Sequence, residues 1–203
     1  MKARQPDSSG YAVNDGVRVY YEVHGTGSTT VVLLPTWAIV DSQVWKMQVP
    51  YLSRYFRVLT YDPRGNGKTD RPQDPAAYTY ELASEDVEAV MDATDTEQAV
   101  LVAYCDGTAP AVLFSGRRPE RVSGLAVFAP NTPAVAVVPE RRRRNYDFES
   151  VVDEPVGWAK ETRAYWQQNW AGYLDWFFAN VASEPHSTKV YDDLVDWGLQ
   201  TDA

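Results

Sequence analysis

Apolar and polar residues alternate in two short stretches near the start of the chain. Tyr11–Val13 and Val17–His24 both show this period of two, and Asp15-Gly16 between them favours the tight turn of a β-hairpin. The next stretch, Thr30–Leu34, is almost wholly apolar and rich in β-branched residues. Strands of that composition are buried on both faces of a parallel sheet. The pattern therefore predicts a hairpin that leads into a buried strand.

Strand and helix patterns then alternate along the chain. Further strands are predicted at Phe56–Tyr61, Ala99–Ala103 and Val122–Phe128. Apolar residues recur at helical spacing in three segments, which begin at Asp41 or Ser42, at Tyr80, and after Gly107. The predicted buried stripe of the second segment comprises Leu82, Ala83, Val87, Val90 and Met91. The first segment contains Pro50, so that helix should be kinked or short. This alternation predicts an α/β fold with a mostly parallel sheet, an N-terminal hairpin, and helices on both faces.

The pattern changes after the sixth predicted strand. Residues 1–130 are expected to form a six-stranded core, and residues 131–203 a helical cap or lid region. Five of the seven tryptophans lie in the second region, where an aromatic stripe at helical spacing comprises Trp166, Trp170, Tyr173 and Phe177. Such a stripe is typical of helix packing, and the wall of an apolar ligand pocket is the alternative.

Composition narrows the classes of function. The 203 residues carry a net charge of −9, which argues against nucleic acid or an anionic membrane as a partner. The single cysteine excludes an internal disulfide and favours a cytoplasmic location. No apolar stretch reaches about 18 residues, so no membrane-spanning helix is predicted. The two histidines belong to no ligand-spaced motif, so neither a metal nor another cofactor is expected.

The segment Ala103-Tyr104-Cys105-Asp106-Gly107 carries the main chemical signal. It follows an apolar strand and precedes a helix, as a nucleophile elbow does. That turn is so tight that the residues two before and two after the nucleophile must be small, and Ala103 and Gly107 meet this demand. Placing the nucleophile at Asp106 would put Tyr104 at a small-residue position, so Cys105 is the predicted nucleophile.

Four further motifs accompany the elbow in a fixed order, and together they resemble the α/β-hydrolase superfamily over residues 17–130. Asp62–Asp70 is similar to the family's D-x-R-G-x-G-x-S-D turn after the fourth strand. Leu33–Trp37 stands where the family has an apolar strand followed by His-Gly. The remaining two motifs are Trp45, Gln48 and Leu52, which match W-x-x-Q-x-x-x-L, and Arg118–Val122, which is similar to H-P-E-R-V.

The resemblance implies a role for each matching residue. Cys105 would be the nucleophile, and the backbone N–H groups of Trp37 and Asp106 would bind the oxyanion. Dienelactone hydrolases of this superfamily use cysteine, and a helix N-terminus favours the thiolate. The implied reaction is acyl transfer on an ester, thioester or lactone of a small apolar molecule. The implied substrate-binding residues are Trp37, Tyr104, Trp166 and Trp170.

The sequence departs from the family in three places. Cys105 replaces the family's nucleophilic serine. Pro35-Thr36 replaces His-Gly, and Thr36 lacks the backbone freedom of glycine, so the oxyanion loop should differ in shape. The family's catalytic acid and histidine follow strands seven and eight, which this chain does not reach. His24 is expected on a peripheral strand edge, His186 in a loop, and Asn131 could orient an imidazole but carries no charge. The expected fold is a truncated α/β-hydrolase with an incomplete triad.

Three interpretations follow from this departure. The protein could be a hydrolase whose histidine comes from sequence beyond Ala203 or from a second polypeptide. It could be a non-catalytic binding module whose sixth strand leaves an open edge for a second copy or a completing polypeptide. It could also be a truncated gene product.

Overall fold

The computed structural model describes residues 4–37, 39–130 and 148–203. The chain forms two compact units, Met1–Thr132 and Pro133–Ala203. Asn131, considered above as an imidazole partner, lies outside the described residues, and so does the predicted start of the cap. Within the described ranges, no helix is both long enough and apolar enough to cross a membrane.

The first unit is built on a six-stranded sheet with the order β1-β2-β4-β3-β5-β6. β1 pairs antiparallel with β2, and β2 pairs antiparallel with β4, whereas the other three neighbouring pairs are parallel. The predicted hairpin and the mostly parallel sheet are therefore confirmed. The strands are β1 (Ser8–Asn14), β2 (Val17–His24), β3 (Thr30–Leu33), β4 (Arg57–Tyr61), β5 (Ala99–Tyr104) and β6 (Val122–Phe128).

Helices cover the two faces of this sheet unequally. On one face, α2 (Tyr80–Ala93) and α3 (Thr108–Arg117) bury a large apolar core against β3, β4 and β5. On the other face, a 3-10 turn at Ser42–Trp45 and the one-turn helix α1 (Val49–Leu52) cover a smaller cluster. The expected interruption at Pro50 is confirmed, because this proline lies in the first turn of α1. Asp41 caps the 3-10 turn through the Gln43 N–H.

The buried face of α2 differs from the apolar stripe that the sequence predicts. Val87, Val90 and Met91 are fully buried as expected, but Ser84 and Asp86 are buried as well. Leu82 and Ala83, which the stripe includes, are only half-buried. The reason is an ion pair, since Arg64 reaches α2 from the turn after β4 and requires a buried carboxylate there.

The second unit is helical in its described residues. Its helices are α4 (Arg163–Gln168), α5 (Trp170–Val181) and α6 (Lys189–Gly198). Thr162 caps α4 and Asn169 caps α5 through their side-chain oxygens. The aromatic stripe packs as a cluster in which the rings of Trp166 and Trp170 lie 5.2 Å apart. Core packing of the stripe is thus observed within this unit.

Candidate active site

Cys105 lies in a sharp turn between β5 and α3. β5 ends at Tyr104, a 3-10 turn spans Cys105–Gly107, and α3 begins at Thr108. Cys105 has a φ of 52°, a left-handed conformation that is strained for any residue with a Cβ. The side chain is half-buried. Strand, strained residue and helix follow each other as in a nucleophile elbow, with the cysteine at the apex and at the helix N-terminus.

The loop after β3 packs directly against this turn. A Cβ added to Gly107 would lie 2.2 Å from the carbonyl oxygen of Pro35, so the two backbones are in contact. The loop is anchored by Leu34, whose N–H donates to the Val102 carbonyl at 2.9 Å and whose carbonyl accepts from the Trp45 indole at 2.8 Å. The segments that carry Trp37 and Asp106 therefore meet at the carboxyl edge of the sheet. Thr36 is not among the described residues with a positive φ, so the loop here does not need the backbone freedom of glycine.

A tyrosine on α2 is joined to the elbow. The Tyr80 hydroxyl donates a hydrogen bond of 2.7 Å to the Asp106 carboxylate. Burial, the hydrogen bond to Asp106 and the nearby charges of Asp106 and Cys105 raise the pKa of Tyr80 to about 12. Sequence reasoning missed Tyr80, because it stands 26 residues before its partner, and its only local signal is the start of a helix.

Among the described residues of the first unit, cavities adjoin the neighbours of Cys105 on both sides, Tyr104 and Asp106. One, of about 120 Å³, lies on the side of α2 and includes Thr36, Tyr80 and Asp106 in its wall. The other, of about 470 Å³, is an apolar groove on the opposite face of the sheet. Tyr104 faces the groove, and burial raises the pKa of its hydroxyl. The groove is lined by Leu33, Val44, Trp45, Gln48, Leu52, Val102, Tyr104, Ala126 and Phe128.

The Asp62–Asp70 motif forms the structural turn at the end of β4. The buried Asp62 carboxylate accepts from the Ser42 hydroxyl at 2.6 Å and from the Lys68 N–H at 2.9 Å. Burial raises the pKa of Asp62, although these donors oppose that shift. Arg64 pairs with Asp86 on α2 at 2.7 Å, with both side chains almost fully buried. The motif thus connects the turn after β4 to the 3-10 turn that begins at Ser42 and to α2.

The histidine of the first unit, His24, is not placed as a partner for Cys105. His24 is fully buried, with Nε2 3.3 Å from Glu22, rather than on the peripheral edge that the sequence suggested. The strand registers put His24 level with Val100, at the amino edge of the parallel strands. With the strand spacings of a sheet, that position is roughly 20 Å from Cys105. His186 is an exposed residue of the second unit, between α5 and α6.

The predicted site residues thus fall into two groups. Trp37, Tyr104, Cys105 and Asp106 lie at the carboxyl edge of the sheet in the first unit. Trp166 and Trp170 lie together in the second unit, so their predicted role at the substrate stays a prediction. In the described parts of the chain, no group of three His, Cys, Asp or Glu side chains could hold a metal ion.

Comparison with known proteins decides the family. The family model described as alpha/beta hydrolase fold matches residues 29–187. The chain belongs to the alpha/beta hydrolase fold family. Its mostly parallel sheet is the part of the α/β-hydrolase architecture that the sequence pattern predicts.

Two curated relatives match part of the chain at moderate identity. The chain is 31% identical over 126 residues to a haloalkane dehalogenase of Mesorhizobium japonicum, which covers 61% of this chain and 39% of the relative. It is 30% identical over 129 residues to epoxide hydrolase 3 of Siraitia grosvenorii, covering 61% and 40%. The chain therefore spans about two fifths of the length of these relatives.

Solved structures give the same result for the fold. The enol-lactonase from Burkholderia xenovorans LB400 superposes with a TM-score of 0.68 over 95% of this chain and 68% of its own, at 24% sequence identity. A bromoperoxidase from Bacillus anthracis gives a TM-score of 0.71 at 22% identity, over 96% and 70% of the two chains. At such identities the likeness establishes the fold and leaves the reaction to be argued from the site.

Proposed function

We propose that this protein is a hydrolase that transfers the acyl group of an ester, thioester or lactone to Cys105. The strained conformation of Cys105 between strand and helix is the observation that carries the proposal. Such strain persists only where the surrounding structure over-determines it, and it is concentrated at functional sites. Membership of a family whose curated relatives include hydrolases supports the same reaction class.

The reaction would proceed through a thioester. The Cys105 sulfur forms a bond to the carbonyl carbon, and the N–H groups of Trp37 and Asp106 are the proposed donors to the resulting oxyanion. The bond to the leaving group then breaks, and the leaving oxygen or sulfur takes a proton from water. Attack by a water molecule on the thioester releases the acid and regenerates the thiol.

The two halves of this reaction place different demands on the protein. A thiolate needs no base in order to attack, and the N-terminus of α3 favours the thiolate of Cys105. Hydrolysis of the thioester needs a base that takes a proton from the attacking water. His24 lies at the amino edge of the sheet, opposite the carboxyl edge that carries Cys105. We therefore expect acylation to be fast and deacylation to be slow.

The proposed substrate is small and apolar. Tyr104 opens onto the apolar groove of about 470 Å³, and Trp37 lies in the loop that meets the elbow. Both side chains are half-buried, so an acyl group can contact their exposed surface while the rest of each side chain stays packed.

A burst assay with p-nitrophenyl acetate tests the proposal. The wild-type chain should release about one equivalent of p-nitrophenol rapidly and then turn over slowly, as expected when an acyl-enzyme accumulates. Cys105→Ala should abolish the burst. Cys105→Ser should abolish it too, because a hydroxyl needs a base for activation. Equal release by wild type and Cys105→Ala would disprove the role of Cys105.

A second candidate function is binding of another polypeptide at β6. This strand stands last in the order of the described sheet, and Leu125 and Phe128 on its two faces are 40% and 56% exposed. Parallel strands are normally covered on both faces. We propose that a second copy of the chain pairs along the β6 edge. The alternative occupant is a different polypeptide that completes the sheet.

A further inference from the structure

The elbow carries a carboxylate beside the proposed nucleophile. Asp106 follows Cys105 directly and belongs to the same 3-10 turn. A negative charge at that position opposes formation of the Cys105 thiolate, because like charges disfavour each other's ionised form. It also opposes an oxyanion bound at the Asp106 N–H. A sequence with this residue therefore needs a means of offsetting the carboxylate charge.

Tyr80 provides that means. We infer that Tyr80 is a positioning residue, whose hydroxyl holds the Asp106 carboxylate at α2, offsets its charge, and so sets the pH at which Cys105 reacts. The contact is a hydrogen bond of 2.7 Å across 26 residues of sequence. It deepens the proposed function, since it concerns the same cysteine, but it requires only that Cys105 has a reactive thiol.

Two tyrosines and one ion pair are among the other ionisable groups that the described residues of the first unit place around this turn. Burial raises the pKa of Tyr104, at the end of β5, and of Tyr80, on α2, so both are neutral donors over about pH 6 to 10. In the wall of the cavity on the α2 side, Arg64 and Asp86 pair at 2.7 Å and compensate each other's charge.

The experiment measures the rate of Cys105 alkylation by iodoacetamide in the full chain as a function of pH. The variants are Tyr80→Phe, Asp106→Asn and the double variant. Tyr78→Phe is a matched control, because the Tyr78 hydroxyl is on the same segment but donates to the Pro72 carbonyl. Alkylation needs no ester turnover, so the result is independent of the proposed hydrolysis.

We expect Tyr80→Phe to raise the midpoint of the pH profile by roughly half a unit, since the Asp106 charge is then less compensated. Asp106→Asn should lower the midpoint, and Tyr80→Phe should have no effect in the Asp106→Asn background. Tyr78→Phe should leave the midpoint unchanged. A purely structural role for Tyr80 would lower thermal stability without producing this pattern.

Two results would overturn the inference. One is an unchanged midpoint in Tyr80→Phe, and the other is an equal shift in the presence and absence of the Asp106 carboxylate. A missing p-nitrophenol burst together with the expected pH shifts would refute the hydrolase proposal and leave the role of Tyr80 intact.

Discussion

The two ends of the turn after β5 meet different steric demands. Cys105 adopts a positive φ of 52°, which strains its own backbone. Gly107 has an ordinary helical conformation, with φ of −61°, so backbone freedom does not explain its presence. Its Cα instead faces the Pro35 carbonyl, where any side chain would collide with backbone. Glycine is therefore required here by contact with the loop after β3.

Gly107→Ala tests this contact. Its Cβ would lie 2.2 Å from the Pro35 oxygen, so the loop or the turn must shift. We expect a loss of about 1–3 kcal/mol in the free energy of unfolding, as for other overpacked sites. Urea denaturation measures the change.

Gly116→Ala is the matched control on α3, because a Cβ there meets nothing within 4 Å. It should stabilise the protein by about 0.5 kcal/mol through helix propensity. A loss for Gly116→Ala as large as that for Gly107→Ala would show that the Pro35 contact does not explain the effect.

At the scale of the elements, a buried ion pair joins α2 to the turn after β4. Asp86 accepts from Arg64 at 2.7 Å and 2.8 Å and from the Asn14 amide at 2.8 Å. The network thus connects β1, the β4 turn and α2. It also forms one wall of the cavity that includes Tyr80 and Asp106. The position of α2, and with it that of Tyr80, depends on these contacts.

Asp86→Ala should destabilise the protein by about 3–5 kcal/mol, because it leaves the Arg64 charge buried without a carboxylate. Glu85→Ala, one residue away on α2, removes an exposed pair with Arg117 at 3.6 Å. That change should be worth less than about 1 kcal/mol. Thermal and urea denaturation of the two variants measure the difference, and similar losses would contradict the role assigned to the buried pair.

At the scale of the whole molecule, the sheet is protected unequally. β1 and β6 are the outer strands in the described part of the chain. α2 covers one face of β1, and Ala12 of β1 is buried in the same cluster as the apolar residues of α2. β6 has partly exposed residues on both faces, and the apolar groove adjoins it. The β6 edge is therefore the better candidate for association.

Light scattering coupled to size-exclusion chromatography tests self-association along β6. We expect the mass to approach twice that of one chain as concentration rises. Phe128→Glu should move this transition to higher concentration, because it places a charge in the apolar contact. Val13→Glu, at a position 66% exposed on β1, should leave the transition in place. A constant monomer mass at all concentrations would contradict pairing between copies.

Much of the fold followed from local patterns. The hairpin turn, the buried strand Thr30–Leu33 and the interruption at Pro50 depend on nearest-neighbour sterics and on periodic burial. The turn at Cys105 was predictable for the same reason, because the two small residues that it requires, Ala103 and Gly107, lie only two positions away in the sequence. The ordered motifs then identified the family before any tertiary contact was known.

Other features depend on contacts between residues distant in sequence. Asp86 breaks the apolar stripe of α2, and only the arrival of Arg64 from the β4 turn explains its burial. His24 had to be placed by strand register, which puts it at the edge opposite Cys105. Tyr80 reaches Asp106 because α2 and α3 pack side by side on one face of the sheet.

The sequence by itself therefore determined the type of fold and the sharp turn between strand and helix at Cys105, since both rest on local steric rules and short-range periodicity. Only the tertiary structure decided which groups surround that cysteine. Electrostatic and hydrogen-bond partners act through space, and their identity depends on how strands and helices pack rather than on the residues beside them in the chain.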